Sequence, residues 1–292
     1  MDKPLVNLDA LSQPMTKLIE VLANGFGTLY APFGTVRSAH AEAKAMIIRA
    51  EAEADVVSIR ERAETRIAHR ESVRQENLES ISNKAAQELP EQVSDEPVDQ
   101  DWLLQFLNRA QDVNDQDMQT IWGRILAGEV ASPGTYSKRT LQFLETLDKS
   151  EAEAFTKLCS YTVQDNQGWN MLFEIQFIKD AAGKDMGSAG FIEHFISIGL
   201  LSSEAYYLAP SKISGMKCSY FGKQFEFIGP PPPNHKEHAI TPIEIPFSFR
   251  MLTQIGQQLS QIAGAEERSN FIEGTSDAFA KEFNLTIKPI TI

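Results

Sequence analysis

Hydrophobic and polar positions divide this chain into four stretches of different period. From Met15 to Val36 the apolar residues Leu18, Ile19, Leu22, Phe26, Leu29, Tyr30 and Phe33 recur at three and four residue spacing, interrupted by Gly25, Gly27 and Gly34. Ser12 and Pro14 suit a helix start, because the amide proton that proline lacks is not needed in the first turn. Two roles remain open for this stretch. It can dock as a helical hairpin on the chain's own core, or it can use Leu18, Leu22, Phe26, Leu29, Tyr30 and Phe33 to meet a membrane surface or another subunit.

Residues 36–88 contain neither proline nor glycine and are dense in Ala, Glu and Arg. These residues lose little rotamer freedom in a helix, so propensity favours one continuous rod of about 80 Å. Ala39, Ala43, Met46, Ala50, Ala54 and Val57 form a stripe that thins over Glu61 and Glu64 and resumes at Ile67, Leu78, Ile81 and Ala85. Alanine lets backbones approach but buries little area. The seam therefore suits lateral packing in a larger assembly, with Ala43, Ala50, Ala54 and Val57 as rod contacts. A helix packed on its own chain and a solvated spacer are the other two readings.

The two prolines in the run from Leu89 to Asp99 mark a linker. Beyond it, Trp102, Leu103, Phe106, Leu107 and Ala110 share one helical face. A second helix, with Asn114 as N-cap and Asp117 three positions on, carries Met118, Ile121, Trp122, Ile125 and Leu126. A third runs from Ser137 to Leu147, and a fourth starts at Ser150 with Glu153 closing a capping box. From Gly190 the pattern changes. A helix in FIEHFISIGLL ends at Gly199, short strands follow around 205–208 and 218–227 with Gly222 as a turn, and Pro230 to Pro233 forms a rigid loop. A strand at 243–249, a helix at 253–262, a helix in AFAKEF and an edge strand in LTIKPITI complete the chain, Pro289 excluding a central position.

The resulting fold class is mainly α, with a long N-terminal helix, a helical bundle and a small α+β winged-helix-like C-terminal unit. The expected divisions are 1–35 (apolar helical segment), 36–89 (long helix), 98–180 (acidic helical domain) and 190–292 (winged-helix-like domain).

Charge narrows the partners. The 292 residues carry a formal charge of −13, and residues 91–180, with 7 basic and 16 acidic side chains, hold −9 of it. Phosphate chains are repelled by such a surface, so nucleic acid is not the expected partner, whereas a basic or apolar protein is. Cys159 and Cys218 are too few for a disulfide framework and read as buried thiols of a reducing compartment. No apolar run of eighteen residues and no signal peptide is visible, which places the protein in the cytoplasm, with peripheral contact at the inner membrane left open.

Candidate chemistry is thin. The chain has no phosphate-binding Gly-Lys-Ser or Gly-Lys-Thr loop, no HExxH, no CxxC and no GxSxG. The acids Asp95, Glu96, Asp99, Asp101, Asp112, Asp115 and Asp117 read as helix caps and solvated faces. His235 and His238 have HxxH spacing without a third ligand; His40 and His69 lie on the rod and His194 beside an apolar face. No catalytic, metal or cofactor residue is assigned, and no cofactor is expected.

The run from Val98 to Phe155 resembles a bacterial family known as domain of unknown function 2806, through DWLLQFLNRAQDV followed by WGRILAGEV and PGTYSKRTL. The resemblance extends into the alanine-rich rod and to the later LTQIG helix. It implies a shared fold and brings no catalytic residue set with it.

The expectation for function is a non-enzymatic self-assembling interaction protein, a homo-oligomer that also engages a protein partner. The architecture suggests a bacterial anti-phage defence effector with conditional membrane contact. The alternatives are a soluble regulatory or scaffold protein that binds another protein, and a metal-dependent hydrolase or nuclease using the dispersed acids, for which loss of turnover on changing Asp112 and Asp117 would be the test.

Overall fold

The computed structural model describes residues 12–26, 59–187, 190–229 and 245–290. The chain divides into two compact units, Met1–Thr146 and Leu147–Ile292. The division falls inside the span 98–180 that the sequence groups as one helical domain. Its physical reason is a pair of strands within 147–180 that belong to the sheet of the second unit.

The described part of the first unit is all helical: α1 (Gln13–Phe26), α2 (Ile59–Glu88), α3 (Gln100–Ala110), α4 (Gln116–Ala131) and α5 (Lys138–Thr146). Asp99 caps α3 by accepting from the Trp102 N–H at 2.7 Å. That bond and Lys138 hold the Asp99 carboxyl below its ordinary range. Trp102, Leu103, Phe106, Leu107 and Ala110 are buried on one face, as their spacing predicts. Phe106 stacks on Trp102 and meets Trp122 edge-on, both at 5.3 Å between ring centroids.

The α2–α4 crossing is the most extensive helix–helix contact among the described residues of this unit. A Cβ on Gly123 would lie 2.8 Å from Lys84 Cβ and 3.0 Å from the Ala85 amide nitrogen, so only glycine permits the approach. Beside it lies a connected polar network. Asn77 Nδ2 donates to the Gln111 carbonyl (2.9 Å) and to Asn114 Oδ1 (3.0 Å), and Gln119 Nε2 donates to Asn77 Oδ1 (3.0 Å) and to the Val113 carbonyl (2.8 Å). Ser80 Oγ completes it by donating to Gln119 Oε1 at 2.6 Å. Because Asn114 is engaged by Asn77, the N-cap of α4 is Asp115, which accepts from the amides of Asp117 and Met118. The cap thus lies one residue beyond the one the sequence suggests.

At the other end of α4, Glu129 is buried and closes the turn to α5, accepting from the Gly134 N–H (2.7 Å) and the Tyr136 N–H (2.9 Å). Gly128 lets the Tyr136 ring lie against the helix, since a Cβ there would come within 2.8 Å of Tyr136 Cε2. Burial raises the Glu129 carboxyl above its ordinary range, with the two N–H bonds acting in the opposite direction.

The second unit contains α6 (Lys149–Cys159), β1 (Val163–Asp165), β2 (Asn170–Phe173), α7 (Gln176–Met186), α8 (Phe191–Ser197), β3 (Tyr206–Leu208), α9 (Pro210–Ile213), β4 (Lys217–Tyr220), β5 (Lys223–Ile228), β6 (Phe247–Met251), α10 (Gln254–Ser260), α11 (Phe271–Phe283) and β7 (Thr286–Pro289). The strands form one antiparallel sheet in the order β3-β6-β2-β1-β4-β5-β7. Phe173 lies in its aromatic core, edge-on to Phe227, Phe247, Phe249 and Phe279. The capping box of α6 is made by Asp148 and Glu151, two residues before the Ser150 and Glu153 pair expected. β7 is an edge strand, as its proline requires. Ile290 donates to the Gln224 carbonyl, so alternation turns the backbone of Pro289 outward, where no partner needs its missing proton. Cys159 and Cys218 are free and buried, and burial pushes the Cys218 thiol up to about 12.

Two outcomes test the first unit. Asn77→Ala and Gln119→Ala each leave buried polar partners unpaired and are expected to lower the unfolding free energy in urea by about 1–3 kcal/mol. Gln75→Ala, on the exposed side of the same helix, is expected to change it by less than about 0.5 kcal/mol. Equal losses at all three positions would contradict the role of the network. For Glu129, the proton leaves the unfolded chain at a lower pH than it leaves the folded protein. Its contribution to stability is therefore fully present below the ordinary carboxylate range and is lost as pH rises through the raised value. Urea titrations from about pH 4 to about pH 7 are expected to show wild type losing stability relative to Glu129→Gln. A relative gain with pH would reverse that assignment.

Candidate functional site

α2 is one continuous helix of 30 residues with two different environments. Its C-terminal part is docked: Asn77, Leu78, Ile81, Ser82 and Ala85 are buried, and Arg124 pairs with Glu88 at 3.1 Å. The docking ends at Arg74, whose guanidinium reaches Asp112 through Nε (2.7 Å) and Nη2 (3.0 Å). Before Arg74 no residue of the helix is buried. Ile59 is 79% exposed and Ile67 48%, with Ala63 between them at i,i+4 spacing. Arg60 pairs with Glu64 at 3.0 Å one turn on.

The reason the docking stops is visible in the side chains. The stripe that packs at Leu78, Ile81 and Ala85 continues backward, at alternating three and four residue steps, onto Arg74, Glu71, Ile67, Glu64 and Arg60. These are long polar side chains apart from Ile67, and they give the unit little apolar surface to cover. The exposed part still carries both signs of charge, with Arg60, Arg62, Arg66 and Arg70 interleaved with Glu61, Glu64 and Glu71.

The residues singled out in the sequence fall into two groups. Leu18 and Leu22 are each 1% exposed and pack α1 within the unit, where α1 meets α3 and α4. Lys17 fixes the helix further by donating to the carbonyls of Ser94 and Glu96. The side chain of Phe26, and Leu29, Tyr30, Phe33, Ala43, Ala50, Ala54 and Val57, lie outside the described residues, as do His235 and His238.

The acids do not gather into a catalytic constellation. Asp112 is held by Arg74, Asp115 caps α4, Asp117 lies in the first turn of that helix, and Asp99 caps α3. Among the described residues no group of three His, Cys, Asp or Glu side chains is placed to hold a metal ion. His194 faces Glu151 at 3.3 Å. Among the described residues no helix is long and apolar enough to cross a membrane.

The segments that carry the resemblance have structural work to do. DWLLQFLNRAQDV builds the buried face of α3, WGRILAGEV supplies Gly123 to the α2 crossing and Glu129 to the turn, and PGTYSKRTL supplies the Gly134 and Tyr136 amides that Glu129 engages. No curated protein and no solved structure matches the chain significantly. The LTQIG helix lies outside the family match, which is narrower than the resemblance expected. Residues 61–186 match the model of the family described as Protein of unknown function (DUF2806).

Proposed function

We propose that this protein is a non-enzymatic, self-assembling interaction protein. Its assembling element is the exposed part of α2 together with the alanine-rich stretch before it, with Ala43, Ala50, Ala54 and Val57 as contacts. The observation that supports this most is the exposed part of α2 itself, about 15 residues or roughly 22 Å of helix with no fully buried side chain. Isolated helices of about this length are marginal in water, and i,i+4 ion pairs such as Arg60 with Glu64 add only about 0.2–0.5 kcal/mol each. A neighbour that covers Ile59, Ala63 and Ile67 supplies the missing burial. A second copy fits, since the element carries both signs of charge while residues 91–180 repel their own kind.

Membrane contact enters the proposal as a conditional step. Leu18 and Leu22 are engaged by α3 and α4, and exposing each costs about 1.5–3 kcal/mol, so α1 would release only when another surface replaces that burial. Leu29, Tyr30 and Phe33 are proposed to take part in the same contact, at the inner face of a bacterial membrane. The winged-helix-like reading of 190–292 is retained for α8 followed by the β4–β5 hairpin, a helix and wing built into a larger sheet. Its proposed role is that of an effector of bacterial anti-phage defence.

A second reading, a soluble scaffold that binds a different protein, is favoured by the edge strand β3. Tyr206 and Tyr207 are 46% and 68% exposed there, and tyrosine is enriched at protein interfaces.

Light scattering of the full chain across a concentration series is expected to give a discrete mass of several copies. Ile59→Glu with Ile67→Glu is expected to reduce that mass without moving the melting temperature by more than about 2 °C, because neither side chain is buried. The same double variant is expected to lose any protection against phage plating. A monomer at every concentration would overturn self-assembly and leave the scaffold reading. For the membrane step, co-sedimentation with anionic vesicles is expected to fall when Leu29 and Phe33 are changed to Asp; unchanged binding would remove this segment from the mechanism.

A further inference from the structure

The second unit contains a cleft of about 270 Å³ between one face of the sheet, the C-terminal end of α6 and the segment that follows α10. We infer that it is a binding site for a small neutral planar heteroaromatic molecule of the nucleobase class, stacked on Phe221.

The first observation is charge. None of the residues that line the cleft is Asp, Glu, Lys, Arg or His, in a chain of which 23% is charged. A charged ligand entering it would lose hydration without meeting a counter-charge, whereas a neutral polar one would not. The volume lies just below the range of drug-sized sites, which limits the occupant to a small ring system.

The second is unspent hydrogen-bonding capacity. Behind the cleft the polar groups satisfy one another: Asn170 Nδ2 donates to Ser260 Oγ (2.9 Å) and Thr162 Oγ1 donates to the Cys159 carbonyl (2.9 Å). At its rim the side chains of Gln164, Ser219 and Gln261 have no hydrogen bond among the described residues. Amides and a hydroxyl present donors and acceptors to the same space, which is what the edge of a base requires.

The third is Phe221. The hairpin between β4 and β5 has a two-residue turn, Phe221-Gly222, with φ of 45° and 80°. Such a turn favours Asn or Asp followed by Gly, and an aromatic side chain at positive φ is strained. Phe221 is nevertheless 43% exposed as a residue, with its ring set edge-on to Tyr220 at 4.8 Å. Tyr220 is fixed in turn, its hydroxyl donating to the Ser160 carbonyl (2.9 Å) and accepting from the Arg268 N–H (2.9 Å). The result is a stacking platform held rigidly beside neutral hydrogen-bonding groups. Because the cleft offers no cation for a phosphate and the chain carries −13, a free base or nucleoside is the favoured source over a base within a nucleic acid.

Calorimetric titration of the full chain with adenosine, guanosine, cytidine and uridine in turn is expected to show saturable binding of at least one. Phe221→Asn is expected to weaken that binding by about tenfold or more. The melting temperature is expected to stay within about 2 °C, since relief of the turn offsets the lost edge contact with Tyr220. Phe221→Tyr retains the ring and is expected to retain the affinity. Gln164→Ala combined with Ser219→Ala is expected to weaken binding in a protein of unchanged stability. Failure of all four nucleosides to saturate, or equal binding by Phe221→Asn, would overturn the site. A single-stranded oligonucleotide binding more tightly than its own nucleoside would overturn the free-ligand source.

Discussion

The contact on which the first unit depends is the crossing of α2 and α4. Gly123 brings the two backbones together at Lys84 and Ala85, and the Asn77–Gln119 network fixes their register. Apolar packing alone tolerates sliding by a turn, because one aliphatic side chain can replace another. A network in which each amide has a specific partner does not, since a slipped register leaves buried donors and acceptors unpaired. The remaining helices arrange themselves around that crossing, with Trp122 of α4 meeting Phe106 and Glu129 closing the turn into α5.

Much of this was legible in the sequence where periodicity was long and side chains large. The faces of α3 and α4, the burial of Trp102 and Trp122, the turn at Gly222 and the edge position of the strand containing Pro289 all follow from spacing and backbone chemistry. The hairpin of β1 and β2 was not legible. Strands of three and four residues have too few positions to show alternation, and the visible signal was local: Asp165 accepts from the Gln167 and Trp169 amides to make the turn that contains Gly168. Missing that hairpin moved the expected domain boundary past its place. The cap at Asp115 was missed because tertiary contact decided it, with Asn77 engaging Asn114 first.

The candidate sites divide along the same line. Leu18 and Leu22 show an apolar face in the sequence, but composition cannot say whether that face meets lipid, another copy or the chain itself; burial against α3 and α4 answers for these two residues. The acids were read as caps and solvated faces, and Asp99 and Asp115 are caps. The nucleoside-sized cleft left no trace in one dimension, because Gln164, Ser219, Phe221 and Gln261 come from β1, β4, the following turn and the segment after α10. Its only local mark was an aromatic residue before Gly222, in a turn where Asn is the ordinary choice.

A helix docked along half its length has a consequence that neither a fully packed nor a fully free helix would have. The Asn77–Gln119 network and Leu78 hold its C-terminal end rigidly, so the exposed part leaves the unit in a defined direction. Because α2 is already nucleated, each added helical residue gains a hydrogen bond without a new nucleation cost. A partner then needs only to cover Ile59, Ala63 and Ile67, since the ordering of that segment has begun inside the unit. Weak contacts per helix are sufficient when several such helices are presented together, because linked sites raise one another's effective concentration. In the proposed assembly, rigid anchoring at one end and thin apolar cover at the other would make contact reversible for one pair of helices and durable for many.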